Sequence, residues 1–315
     1  MANITEQTMQ QMNTQTTTSS GVSPLFEAVV NRTILESAKE KNVFNQFGKR
    51  VTVPKGKTKA ITFDRMEPMD VTTESLKEGV TPAGDVLNIS RMTINPKQYG
   101  HYISVTDEFE FFKHDPSPEV LKKAKALGEQ AQSTFDLLTL NELKKGTNYQ
   151  YAGGKATVSA ITADDKMTVK EVMKAVRTLK ANKAEPESGN DFVCIIDPYM
   201  AYDLMLDERW QNVKDYDPKD MYNGEIGKLF GVRFVDTTQN MEFEEKGSGG
   251  ITLHRAIFFG KDAYASTKEK GNIVSVNQPA TDPLHQNSTT GWKGHHAAAV
   301  LTEGWMLQVV AAVSE

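Results

Sequence analysis

The chain has 315 residues, with 36 Lys plus Arg against 41 Asp plus Glu and a formal charge of −5, a balance that argues against wrapping nucleic acid by phosphate neutralisation. Its one cysteine, Cys194, excludes an internal disulfide framework and fits a reducing cytosol. No apolar run approaches the ~18 residues of a membrane span, and the N-terminus lacks the basic-then-apolar order of a signal peptide, so a cytoplasmic, non-membrane protein is expected.

Residues 1–20 are dominated by Gln, Thr, Asn and Ser. Such a segment buries too little surface to offset its ordering entropy, which leaves a disordered tail or an arm that orders against a neighbour. Over 24–47, Phe26, Val30, Ile34 and Ala38 sit four apart, the spacing of an amphipathic helix ended near Gly48. Residues 50–106 read as extended chain. Lys57–Arg65 and Val86–Ile94 are two expected strands with poor alternation, because Ile61 and Phe63 share a face with Lys57, Lys59 and Arg65. Between them lies a loop of about 20 residues with Pro68, Gly79, Pro82 and Gly84, long for a compact domain. The whole reads as a protruding two-stranded arm that needs another surface to lie on. Tyr99, His101, Ile103 and Val105 then alternate as a half-buried strand.

The stretch 117–146 carries the strongest helix signal. Ser117 and Pro118 suit the cap and first position, and Gly146 follows Lys144 and Lys145 as a stop. Val120, Ala124, Leu127, Ala131, Phe135 and Leu138 form one apolar stripe. At 1.5 Å per residue this helix spans roughly 42 Å, a rod suited to a thin, wide subunit. After a polar connector with Gly153 and Gly154, a second helix is expected over 168–184. Phe192–Ile196 is an apolar run suited to a strand buried on both faces. Asp197–Pro198 opens a short helix, with Tyr199, Tyr202 and Trp210 expected in its core. Glu225–Phe230 reads as a turn of helix, Val232–Val235 as a strand, and Glu244–Gly250 as a loop. Ile251–Gly260, Ile273–Val276 and Trp305–Val313 complete the strands. Trp305, Leu307, Val309, Ala311 and Val313 share one face, tying the C-terminus into a sheet.

The order of polar arm, helix, long hairpin, strand, spine helix, central α/β domain and returning C-terminal strands resembles the major capsid protein of tailed phages, in the Hong Kong-97-type (Johnson) fold. Glu78-Gly79-Val80-Thr81-Pro82, Tyr99-Gly100-His101-Tyr102-Ile103-Ser104-Val105-Thr106-Asp107-Glu108 and Gly128-Glu129-Gln130 resemble the branch found in N-four-like phages. So do Asp197-Pro198-Tyr199, Gly224-Glu225-Ile226-Gly227 and Phe230-Gly231-Val232-Arg233. The resemblance implies an α+β fold with an N-terminal arm and helix (1–48), an extended β-hairpin (49–96), and a peripheral domain with the spine helix (97–160). It further implies an axial domain (161–290) and C-terminal strands returning to the peripheral domain (291–315). The function implied is self-assembly into hexamers and pentamers of an icosahedral phage head around double-stranded DNA. Portal and scaffolding proteins, decoration proteins and non-specifically apposed DNA are the implied partners, and the virion the implied location, after assembly in a host bacterial cytoplasm. Lys57, Arg65, Lys77, Glu78 and Arg91, on the hairpin arm, are the candidate inter-subunit contacts. Lysines there also serve as edge protection, and no cross-link is assigned.

An enzyme needs a constellation, and the sequence offers no phosphate-cradling glycine loop, nucleophile elbow or zinc-protease motif. No catalytic residue, cofactor or metal is assigned. His295 and His296 are adjacent on an extended segment and point to opposite faces, a poor chelate. Cys194 lies in an apolar run, where a thiol is packing. Asp107, Glu108 and Glu110 read as a solvated helix terminus rather than paired acid and base. Lys122, Lys123 and Lys125 read as the wet face of the spine helix, with a contact to DNA or a neighbour as the alternative. The competing functions are a non-catalytic shell or interaction protein of another assembly, and a cytosolic enzyme with an unrecognised site.

Overall fold

The computed structural model describes residues 43–53, 60–66, 89–106, 117–211, 225–268, 272–278, 280 and 282–314, with the single positions 33, 73, 75, 79 and 84. The polar segment 1–20, most of the helix expected over 24–47, most of the hairpin tip and the trio Asp107, Glu108 and Glu110 lie outside the described residues; the described end of that helix, Phe44–Gln46, is a 3-10 turn. In chain order come β1 (Lys49–Val51), β2 (Ile61–Met66), β3 (Ile89–Ile94), β4 (Lys97–Thr106), α1 (Ser117–Leu143), β5 (Tyr149–Tyr151), α2 (Val169–Ala181) and β6 (Phe192–Ile196). These are followed by α3 (Pro198–Met205), α4 (Glu208–Gln211), β7 (Glu225–Leu229), β8 (Val232–Asp236), β9 (Leu253–Phe259) and β10 (Tyr264–Thr267). The last strands are β11 (Val274–Gln278), β12 (Asn287–His296), β13 (Ala298–Val300) and β14 (Met306–Ala312). Two compact units result.

The larger unit holds Glu40–Tyr99, Gln132–Asn272 and Gly294–Glu315. Its centre is a six-stranded mixed sheet in the order β5-β14-β9-β6-β8-β7. The pattern of β6 explains how a run without polar positions becomes a strand. Phe192, Cys194 and Ile196 pack with Val172, Ala175 and Leu179 of α2 and with Met200 and Leu204 of α3. Val193 and Ile195 point the other way, into a cluster with Phe44, Phe47, Leu140 and Leu143. Alternation is present, but both destinations are apolar, so the sequence shows no polar partner. The same holds in β14, where Leu307, Val309 and Ala311 share one face as expected and Met306 and Val310 fill the other. Asp197 caps α3 by accepting from the Met200 backbone N–H at 3.0 Å, with Pro198 at the first helical position.

The smaller unit is built from Gly100–Ala131 and Ile273–Lys293. Its sheet has the order β11-β12-β4. Two glycines allow close strand approach, since a Cβ at Gly291 would stand 2.6 Å from the His101 carbonyl and one at Gly100 would stand 2.8 Å from that of Trp292. Trp292 is buried and donates from Nε1 to Gln130 Oε1 at 2.7 Å.

Helix α1 runs 27 residues, with Ala124, Leu127, Ala131 and Phe135 buried and Leu138 half-buried, as the stripe requires. Lys122 and Lys125 are exposed and Lys123 is half-buried. Three expectations are corrected. Glu225–Phe230 is not helical. Its burial alternates with period two, and Phe230 and Gly231, both at positive φ (49° and 76°), turn β7 back onto β8 as a hairpin. The residues Tyr199 and Tyr202 are not core: each is 58% exposed, because the buried face of α3 is taken by Met200, Ala201, Asp203 and Leu204. Trp210 does pack, edge to face on Phe234 at 5.2 Å. The strand over Tyr99–Val105 is less buried than its alternation promises, with Tyr99 and Ile103 half-buried but His101 exposed, since β4 stands at a sheet edge. Strands β5 and β10, three and four residues long, were not legible, whereas β13 falls within the returning strands expected from 291 and β12 starts before them, at Asn287.

Candidate assembly surface

The β2–β3 ribbon pairs Ile61 with Ile94, Phe63 with Met92, Asp64 with Arg91 and Arg65 with Ser90. Directly paired residues share a face, so Ile61, Phe63, Ile94 and Met92 lie on one side and Asp64, Arg91 and Ile89 on the other. The first side is anchored at its root. Ile61 and Phe63 are buried with Ala265, against Val51, Val53, Ile94 and Leu301, and Lys49 lies over the Phe63 ring at 5.9 Å. The arm therefore has a seat in its own subunit, which its mixed sequence did not reveal.

Further along, the ribbon emerges from that seat. Every residue of β3 except Ile94 is exposed, and Ile89 is 54% exposed. Arg91 donates to Asp64 through Nε at 2.7 Å and through its second nitrogen at 3.3 Å. That hydrogen bond holds the Asp64 carboxyl below its ordinary range. Of the expected contact residues, Arg65 sits in β2 opposite Ser90 and Arg91 in β3 opposite Asp64, 26 positions apart in sequence but one position apart across the ribbon. Lys57, Lys77 and Glu78 lie outside the described residues.

Two further apolar surfaces were missed in the sequence. On α3, Tyr199, Tyr202 and Met205, with Leu206 just past its end, leave a solvent-facing stripe opposite the buried one. The readable signal was a helix with a single charged residue, Asp203, and so with little polar face to give to water. On the smaller unit, a groove of about 480 Å³ is lined by Gly100, His101, Tyr102, Val276, Gly291 and Trp292. Tyr102 is 67% exposed there.

The chemistry-bearing residues are arranged as structural groups. Cys194 is fully buried, and burial pushes its thiol well above the usual range, which suits packing rather than nucleophilic attack. His295 is exposed and His296 buried, on opposite faces of β12. Burial lowers the His296 pKa to about 4. Among the described residues, no three His, Cys, Asp or Glu side chains are grouped to hold a metal ion. The buried Arg255 guanidinium donates to Gln308 Oε1 at 3.1 Å and to the Glu242 carbonyl at 3.2 Å, pairs with Glu244, and stacks on Phe243. It ties the 242–250 loop to the sheet.

A family model described as phage capsid protein matches residues 91–306. Among solved structures, the capsid of Ralstonia phage GP4 superposes with a TM-score of 0.70 at 14% identity, covering 88% of this chain and 92% of that one. A chain of the cyanophage Pam1 capsid gives 0.65 at 13%, covering 83% and 87%. The virus-like particle of Pyrococcus furiosus gives 0.53 at 10%, covering 91% and 99%. Among curated proteins nothing matches. With two thirds of its length, including α1 and most of the six-stranded sheet, inside the family match, this chain belongs to the phage capsid protein family and is a structural major capsid protein of a virion shell.

Proposed function

We propose that copies of this chain assemble into hexamers and pentamers of an icosahedral head enclosing double-stranded DNA, with the β2–β3 arm of one subunit lying across the next. The observation that carries the reading is the ribbon itself, rooted in its own subunit by Ile61 and Phe63 yet exposed along almost all of β3. An isolated ribbon is marginal in water, so the part beyond the root gains its burial from a neighbour. Many weak, repeated contacts of this kind sum to a closed surface. The role is structural, without catalysis, in a host bacterial cytoplasm and then in the virion. Portal, scaffolding and decoration proteins are the expected partners, and the acidic chain limits sticking to packaged DNA. The layout proposed for these roles is the arm at 1–48, hairpin at 49–96, peripheral domain at 97–160, axial domain at 161–290 and returning strands at 291–315.

The test replaces residues 67–88 with an Asn-Gly turn, keeping both strands but removing the reach. The expected result is a subunit with unchanged helical signal and cooperative melting that forms no closed shells by electron microscopy. Normal shells from this variant would refute the clamp role.

A further inference from the structure

Val43 and Asn45, in the first described stretch of the larger unit, make a buried polar contact with α1. Asp136 is 2% exposed and accepts from the backbone N–H of Val43 at 2.8 Å and of Asn45 at 3.3 Å. Asn45 Nδ2 also donates to Asp136 Oδ1 at 3.1 Å. Its amide oxygen is then turned to accept from the Thr139 hydroxyl at 2.9 Å. The Thr139 oxygen lies 3.0 Å from His296 Nε2, and His296 Nδ1 lies 3.2 Å from the Thr267 hydroxyl.

These partners bear on the tautomer of His296. Thr139 has one proton and two acceptors for it, the Asn45 amide oxygen at 2.9 Å and the Phe135 carbonyl at 3.0 Å; giving it to either leaves a lone pair for His296, so Nε2 carries the imidazole proton. Nδ1 is bare and accepts from Thr267, whose oxygen in turn accepts from the Ala297 N–H at 3.2 Å. A second proton on the imidazole would face the Thr267 hydroxyl and turn its proton away from its acceptor. Phe135 stacks on the ring at 5.0 Å, and Phe44 and Phe47 fill the apolar cluster beside the relay.

We propose that the relay Thr267–His296–Thr139–Asn45–Asp136 is a clasp that fixes the segment Val43–Asn45 against α1, and that it closes only around an uncharged His296. The clasp joins three separate parts of the chain: that segment, the second half of α1, and the adjoining ends of β10 and β12. The other titratable groups around it are Tyr264, whose hydroxyl donates to the Phe44 carbonyl at 2.5 Å, with Glu187 and Arg50 acting on that tyrosine. Lys97, Tyr99 and Glu142 share with His296 a cavity of about 280 Å³.

The burial of both ionisable members supports a compensated response to pH. Burial raises the Asp136 pKa to about 6 against the pull of its N–H donors, and lowers that of His296 to about 4. Between these values the folded clasp holds its one proton on Asp136, whereas the unfolded chain holds one on His296. The number of bound protons is then equal on both sides, and linkage predicts little slope from this pair. Removing either partner exposes the other. In Asp136→Asn, only the depressed His296 remains, so stability is lost as pH falls from about 6.5 toward 4. In His296→Gln, only the raised Asp136 remains, so stability is lost as pH rises from about 4 to 6.

The experiment uses the expressed full-length chain and reads two quantities. The first is the hydrogen-exchange rate of the Val43 and Asn45 amides, which the clasp holds on Asp136; the second is melting temperature between pH 4 and 6.5. Thr139→Val, close to isosteric but unable to relay, is expected to exchange these amides about ten times faster with melting still cooperative. Thr139→Ser should restore protection. Slopes of opposite sign in Asp136→Asn and His296→Gln, with the parent flatter than both, support the clasp. Slopes of the same sign, or a Thr139→Val chain as protected as the parent, overturn it. Should Thr139→Val not fold, the two slopes and the Thr139→Ser rate decide alone, and rapid exchange of these amides in Thr139→Ser counts against the proposal.

Discussion

Two β structures in the larger unit use similar residues to opposite ends. In the six-stranded sheet, β6, β9 and β14 are buried at every position, and each apolar side chain faces one cluster or another. In the β2–β3 ribbon, Ile61 and Phe63 are buried, while Ile89 and Met92 on the paired strand are exposed. The difference lies in what stands over each face, not in composition. The sheet has α2 and α3 on one side and the end of α1 on the other. The ribbon has its own subunit beneath its root only. The covered sheet is thus where the folding free energy of the subunit resides, and the ribbon's exposed apolar side chains are the surface on which the proposed arm contact rests.

The sharpest way to break this contrast is a cavity in the sheet. Phe258 is fully buried in β9 and meets Phe234 edge to face at 6.2 Å. Phe258→Ala is expected to cost about 4 kcal/mol, enough to lose most cooperative folding. Chemical denaturation of the expressed chain measures it. A loss below about 1 kcal/mol would mean that the sheet is not where stability resides.

The ribbon root comes next. Phe63→Ala removes the ring from the cluster with Ala265 and Val51 and from under Lys49. The expected loss is about 3 kcal/mol, at the low end for a buried Phe because the site lies near solvent. If the variant melts like the parent, even the root belongs to assembly rather than to the subunit. Cys194→Ala is smaller again. The thiol is a small packing group in β6, so the expected loss is about 1 kcal/mol, with shells intact by electron microscopy. Shells lost from a folded Cys194→Ala chain would give the thiol a role beyond packing.

The elements that were legible in the sequence are those whose signal is local. Ser117-Pro118 and the stripe from Ala124 to Phe135 gave α1, Asp197-Pro198 gave the start of α3, and the unbroken run from Phe192 gave β6. The elements that were not legible depend on partners far away. Glu225–Leu229 becomes a strand because β8 pairs with it and Trp210 lies against Gly227, where an added Cβ would stand 3.0 Å from the indole. Tyr199 and Tyr202 have the apolar bulk of core residues, and only the neighbours of Met200 and Leu204 decide which side of α3 turns inward. Asp136 and His296, 160 positions apart, carry no mutual spacing in the sequence. Their link needs Asn45 and Thr139 between them. Among the candidate contact residues, Arg91 was singled out for its charge, but its partner Asp64 was invisible until the register was known.

That pair supplies the smallest expected effect. Arg91 and Asp64 are both well exposed on the outer face of the ribbon, where water and salt screen them. The Asp64 pKa is depressed chiefly by the Arg91 hydrogen bond. A depressed carboxylate contributes above its unfolded pKa and loses that contribution as pH falls through the folded value, so any effect would vanish in acid. Full exposure reduces it further, and Arg91→Glu should leave the melting temperature of the free subunit unchanged. On a face offered to a neighbour the same substitution places two carboxylates together where the pair was neutral. Shell formation should then need higher concentration, the defect should shrink as salt rises, and the exchange Asp64→Arg with Arg91→Asp should restore part of it. Light scattering across a salt series reads all three. A defect in subunit melting as large as that of Phe63→Ala would place the outer face inside the folding unit and erase the contrast with the sheet. A salt-insensitive assembly defect would mean that the face meets its neighbour through shape rather than charge.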